Sequence, residues 1–227
     1  MRADDIIGTL SRSRMQPFLT AAGEERVRAL RLYRWNAQLA SAYWTPIHFL
    51  EVAVRNAIHD ALTAEAATHW WFANQDRAGP VDWMHEREGD AITEAINKIG
   101  KENAKKAGAG ESIPVTPGKV VAEVPFGFWV GLLSGRYVGG SDYHFRVWVQ
   151  GRVFERFAGT PKRSALHGRL NALRAFRNRV AHHEHLLNQD LDGLSEDLEV
   201  ILSSLCTETA GWVRAMSEVD EVRARRP

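Results

Sequence analysis

Apolar residues recur with helical spacing along most of the chain. Leu32, Trp35, Leu39 and Ala42 share one face, which predicts a helix over residues 24–44. Thr45-Pro46 then reads as an N-cap followed by a first-turn proline, so a second helix is expected to begin there. Its apolar face is Ile47, Leu50, Val54, Ala57, Ile58 and Ala61, with Glu51 and Arg55 as an i, i+4 ion pair. Residues 64–88 lose the period and are aromatic-rich, with Trp70, Trp71, Phe72 and Trp83. Ile92, Ala95, Ile96 and Ile99 mark the next helix, stopped by the glycines of AKKAGAG.

Residues 107–118 are rich in Gly and Pro and read as a loop. A short helix over 119–123 and an apolar one in PFGFWVGLLS (125–134) follow, then a turn at Gly139-Gly140. Helices resume over 147–157 and from about Pro161 to the His182-His183 pair. Leu194, Leu198, Ile201 and Leu205 define another, and a last one starts near Trp212. No stretch alternates apolar and polar residues as a half-buried strand would. The expected fold is all-α, a helical bundle with additional short helices, forming a single domain over residues 1–227.

Composition narrows the classes of function. The 227 residues are 44% hydrophobic and 25% charged, ordinary for a globular protein. Cys206 is the only cysteine, which excludes an intrachain disulfide and a thiolate zinc cluster. The longest uncharged apolar run, residues 124–133, is too short to span a bilayer. The N-terminus has no signal-peptide core, so the expected location is cytoplasmic, with no membrane partner. Net charge is only +1, but its distribution is uneven. Residues 136–184 hold ten basic residues against three acidic ones, whereas residues 186–210 hold six acids and no Lys or Arg. Such a basic run is either a solvated face beside an acidic helix or a surface for phosphates.

The chemistry concentrates in LHGRLNALRAFRNRVAHHEH, residues 166–185. On a helix turning about 100° per residue, Leu166, Leu170, Leu173, Phe176 and Val180 form the core stripe. Arg174, Arg177, Asn178, His182 and His185 share a polar sector about 140° wide, while His183 falls beside Phe176 and reads as structural. Arg177 and His182 stand at opposite edges of that sector, so they converge only if the helix loosens near its end or a second chain contributes. Arginine offers a planar fork to phosphate oxygens, and histidine exchanges protons near neutrality. An Arg, Asn and His set suits RNA cleavage by attack of a ribose 2′-OH on the adjacent phosphate, which needs no metal. No His, Asp or Glu set has metal-ligand spacing, and no cofactor motif is present.

RNRVAHHE, residues 177–184, resembles the R-x4-6-H signature of the HEPN superfamily (higher eukaryotes and prokaryotes nucleotide-binding domains). More narrowly, the chain resembles the Abi-like, abortive-infection branch. LYRWNAQLASAYWTPIHFLEVAVRNAI (32–58) is similar to that branch's N-terminal helical pair, and PFGFWVGLLS (125–134) to its middle segment. The resemblance implies a helical bundle, a homodimer with two facing motifs, and metal-independent endoribonuclease activity as a toxin or phage-defence effector. It implies catalytic roles for Arg177, Asn178 and His182, and its variable spacing also admits His183. The partners it implies are RNA and a neutralising antitoxin or regulator. Arg55-Asn56 resembles a further motif of the branch, either a phosphate contact or a structural pair. Arg174, His183 and His185 are supporting candidates, and Lys162, Arg163 and Arg169 are candidate RNA-backbone contacts. Trp35-Asn36 reads as core with a buried amide, and Trp70-Trp71 as a cap on the core. The alternative function is a catalytically silent module that binds RNA, a nucleotide or a partner protein.

Overall fold

Leu32, Trp35, Leu39, Tyr43, Ile47, Leu50, Val54 and Ile58 follow one another at steps of three or four, and all are buried. Nothing in that stripe shifts phase at Pro46. In the computed structural model these residues accordingly form one 41-residue helix, Arg26–Ala66, designated α3 below. The expected break at Thr45-Pro46 is absent, and Pro46 is buried inside the helix. A proline within a helix loses one N–H and strains the preceding turn, a cost of about 3 kcal/mol. The apolar side chains packed on both sides of Pro46 outweigh it, because tertiary burial rather than propensity stabilises most helices.

The described residues are 2–74, 81, 84–107, 112–135, 152–159 and 162–227. Trp83, Arg136, the Gly139-Gly140 turn, His144, Arg146, Pro161 and the expected helix over 147–151 lie outside them, as do residues 108–111 of the Gly/Pro loop. Two N-terminal helices, α1 (Ala3–Leu10) and α2 (Arg12–Ala21), precede α3 and pack on it. After α3 come α4 (Glu86–Lys106), α5 (Pro117–Glu123) and α6 (Phe126–Leu132). A 3-10 turn at Phe154–Arg156 stands where the described part of the 147–157 helix was expected. The motif helix is α7 (Arg163–Ala181), followed by α8 (Leu191–Leu205), α9 (Thr207–Met216) and α10 (Val219–Ala224). Trp212 lies within α9 instead of opening a helix. Among the described residues there is no β-strand, and the fold is an all-α bundle.

The long helix α3 is the spine. Helices α1, α2, α6, α7, α8 and α10 all pack along it, and buried residues from Ile7 to Val222 join in one cluster. Its two ends are pinned by polar bonds from apolar surroundings. Near one end the Trp35 indole Nε1 donates to the Val222 carbonyl at 2.9 Å, tying α10 down. Tyr43 Oη meets the Leu191 carbonyl and Ser195 Oγ of α8 at 3.1 and 2.8 Å. Burial raises the Tyr43 phenol above its usual range, so it stays a neutral hydroxyl.

At the other end Trp71 closes the core against Phe72, Phe128 and Trp129, with ring centroids 5.2 to 6.5 Å away. Its indole Nε1 donates to His59 Nδ1 at 3.0 Å, which requires that nitrogen to be unprotonated. Burial lowers the His59 pKa from 6.5, Asp60 opposes that shift, and His69 adds to it. A histidine whose folded pKa is lowered stabilises the fold above its ordinary pKa, and that contribution is lost as pH falls through the folded value. Acidification from pH 7 to 5 should therefore lower the wild-type melting temperature more than that of His59→Gln. Glutamine accepts the same indole N–H and does not titrate. Parallel melting curves for the two proteins would contradict this assignment.

Candidate functional site

Helix α7 is seated by Leu166, Leu170, Leu173, Phe176 and Val180, all buried as the sequence stripe requires. Phe176 meets Tyr43 of α3 edge-on, with centroids 4.8 Å apart. With that stripe inward, Arg174, Arg177 and Asn178 face α4 and α6. Together with Arg87 and Glu88 of α4 and Gly127 of α6 they line a pocket of about 250 Å³. Arg87 belongs to no motif and was not among the candidates. Its position in sequence, at the start of an amphipathic helix far from α7, gave no sign of it.

Arg177 is held on two sides. Its Nε donates to Glu51 Oε1 at 2.6 Å, and its guanidinium lies 5.6 Å from the centroid of the Trp44 ring. The Arg177 side chain is 33% exposed and that of Glu51 only 13%, so the pair sits at the edge of the core. Glu51 was expected to pair with Arg55 on its own helix. A facing helix brings Arg177 to it instead, and Arg55 Nε is buried without a hydrogen-bond partner. Asn56 is exposed.

The motif helix stops at Ala181, which revises the reading of the histidines. Glu184 N–H reaches back to the Arg179 carbonyl and His183 N–H to the Val180 carbonyl. His183 has φ of 56°. Those two bonds around a left-handed residue form a Schellman cap, a position usually taken by glycine. A helical wheel therefore has no meaning beyond Ala181. His183 does not lie beside Phe176: its ring is exposed, and its carbonyl accepts from Arg14 Nη1 of α2 at 2.8 Å. His182 is the C-cap, exposed, one turn past Asn178, whose carbonyl its N–H meets at 2.9 Å. His185 leaves the polar sector too. Its ring stands edge-on to Phe18 of α2 at 6.5 Å, with Nδ1 buried and unbonded.

A buried amide fixes this exit. Asn36 of α3 is 6% exposed. Its Oδ1 accepts from Leu186 N–H at 2.7 Å, and its Nδ2 donates to the Glu184 carbonyl at 3.5 Å. The expected buried amide bond of Asn36 thus exists, and it clamps the residues that follow the motif. Glu184 also pairs with Arg179 at 2.8 Å. Beside the clamp, an apolar groove of about 520 Å³ runs between α3 and the end of α7, lined by Tyr33, Ala40, Trp44, Val180 and His183.

The candidate RNA-backbone residues are mostly engaged within the fold. Arg169 is paired with Asp197 of α8, and Arg163 Nη1 donates to the Leu133 carbonyl. Lys162 is exposed at the N-cap of α7. The basic run and the acidic run therefore meet partly as neighbouring helices, with Arg214–Glu199 and Arg223–Asp192 adding to the neutralisation. Among the described residues no group of three or more His, Cys, Asp or Glu is placed to hold a metal ion. No described helix is long and apolar enough to cross a membrane.

Residues 12–188, from α2 to just past the motif, match the family of Abi-like proteins. The chain belongs to that family. No curated protein and no solved structure matches it.

Two substitutions probe the motif's exit. His183→Gly should raise stability by about 0.5–1 kcal/mol in urea unfolding, because glycine enters the left-handed region without the Cβ penalty. A buried, structural imidazole would give a loss instead. Asn36→Ala should cost about 1–3 kcal/mol, since Leu186 N–H would be left buried without its acceptor.

Proposed function

We propose that the chain is an endoribonuclease acting as a toxin or phage-defence effector. Attack of a ribose 2′-OH on the neighbouring phosphate gives a 2′,3′-cyclic phosphate and a 5′-OH end, with no metal taking part. The observation that carries this reading is that Arg177 and Asn178 open on one pocket beside Arg87 and Arg174. The donors of Arg177 and Asn178 suit an anionic phosphorane, and the two further arginines make the surroundings cationic enough to draw in an RNA backbone. Arg177 bonds Glu51 through Nε, and its terminal nitrogens would serve the phosphate. His182, exposed one turn past Asn178, moves the proton.

The reaction needs both a base and an acid, and one chain supplies one such motif. A homodimer joined across the apolar groove beside Trp44 and Val180 would bring two motifs to one cleft. The same groove is the face where an antitoxin or regulator would act, and the location would be cytoplasmic.

The second reading, a silent module that binds RNA, a nucleotide or a partner protein, draws on one observation. Glu51 neutralises part of the Arg177 charge that a nuclease would use. Labelled RNA incubated with purified protein in excess EDTA separates the two. The nuclease reading expects cleavage by wild type, with losses of about 10²–10⁴ in Arg177→Ala and His182→Ala. DNA of the same sequence should stay intact, because it lacks the 2′-OH. RNA left whole by the wild-type protein, or products bearing 5′-phosphates, would reject the mechanism.

A further inference from the structure

Arg87 and Arg174 come from different helices and converge over Gly127 in one pocket. The point where a Cβ on Gly127 would stand lies 3.8 Å from Arg87 Nη2 and 3.9 Å from Arg174 Nη1. With only a hydrogen on that side of Gly127, the floor between the two guanidinium groups is flat. Arg174 is oriented for it: Nε and Nη2 both donate to Asn171 Oδ1, at 3.2 and 2.8 Å, so Nη1 is the nitrogen left over. Among the described residues no carboxylate forms an ion pair with Arg87 or Arg174. Two guanidinium groups directed at one point repel each other, and an anion between them turns that repulsion into charge-assisted hydrogen bonds.

We infer that Arg87 and Arg174 form a phosphate subsite over Gly127, beside the Arg177–His182 motif, which takes a backbone phosphodiester of the RNA next to the one being cut. This rests on the nuclease reading for the identity of its ligand. The pocket is continuous with Arg177 and Asn178, so a strand lying on the motif reaches it. Glu88 lines the same pocket and is buried, with its carboxylate against Gly131 of α6.

The test is binding, not turnover, using uniformly 2′-fluoro RNA, which lacks the nucleophile. Fluorescence anisotropy over a range of salt is measured for wild type, Arg87→Gln and Gly127→Ala. Arg87→Gln should bind about tenfold more weakly, for one lost charged hydrogen-bond contact. Its log–log salt slope should fall by about 0.7, one phosphate contact to a single strand. Gly127→Ala places its methyl in ordinary contact with the nearest atom, Arg174 Cδ, at 3.6 Å. It should keep the wild-type melting temperature while also losing RNA affinity, because the methyl rises from the floor between the two guanidinium groups and crowds the approach of a phosphate. Wild-type affinity and slope in both variants would overturn the subsite, as would wild-type protein that fails to bind the 2′-fluoro strand. A nucleoside 5′-monophosphate serves as competitor. If it displaces RNA from wild type but not from Arg87→Gln, the site takes terminal phosphates and the backbone assignment falls. Absence of cleavage of ordinary RNA, with these binding losses intact, would count against the nuclease alone. Where cleavage occurs, Arg87→Gln should raise KM and leave kcat near wild type, the mark of a contact made equally in ground and transition states.

Discussion

The Asn36 amide sits in the core of the bundle and bonds both the Leu186 N–H and the Glu184 carbonyl. A buried amide is expensive unless satisfied, so the chain after the motif has little freedom to be anywhere else. That clamp, with the Schellman bonds from Glu184 and His183, ends α7 at Ala181 and turns the chain across α3. Everything about the motif's histidines follows from it. His182 becomes an exposed cap, His183 takes the strained left-handed position, and His185 is carried over to Phe18 of α2. Arg14 adds a third support by holding the His183 carbonyl. A motif whose histidines lay on a continuing helix would point them in three directions set only by rotation. Here the backbone outside the helix sets them.

The electrostatics of the site depend on the same long helix. Helix α3 supplies Glu51, which engages Arg177, and Trp44, whose ring faces the guanidinium. One cation thus contacts a carboxylate and an aromatic face at the margin of the core, where its charge is only partly screened. Much of the basic run is used elsewhere: Arg169 on Asp197, Arg179 on Glu184, Arg163 on a carbonyl. The cation that completes the pocket, Arg87, comes from an unrelated stretch of sequence. Counting charge along the chain therefore overstates the basic surface near α7 and misses one of its members.

What was legible beforehand was whatever depends on neighbours three or four residues away. The stripes of α3, α7 and α8 bury most of the residues their spacing selected, with Ala42, Ala57 and Leu205 only partly covered, and Trp71 and Asn36 lie in the core as their surroundings suggested. Pro46 misled because its local cost is real but smaller than the packing gained by continuing the helix. The Glu51–Arg55 pair misled because spacing along one helix permits a contact without excluding a better one from a facing helix.

By itself the sequence determined an all-α bundle, the order of its main segments and the face of α7 that turns inward, because helical periodicity is a property of the covalent chain. It also carried the Abi-like pattern that places the chain in its family. Only the tertiary structure decided where α7 stops, which carboxylate meets Arg177, and that Arg87 stands opposite Arg174. Each of these is a contact between residues far apart in sequence, made when α3, α4, α6 and α7 bury their apolar faces against one another. Hydrophobic burial is non-directional and fixes no particular polar pairing in advance. The pairings are set by which side chains the packed helices happen to bring within hydrogen-bond reach.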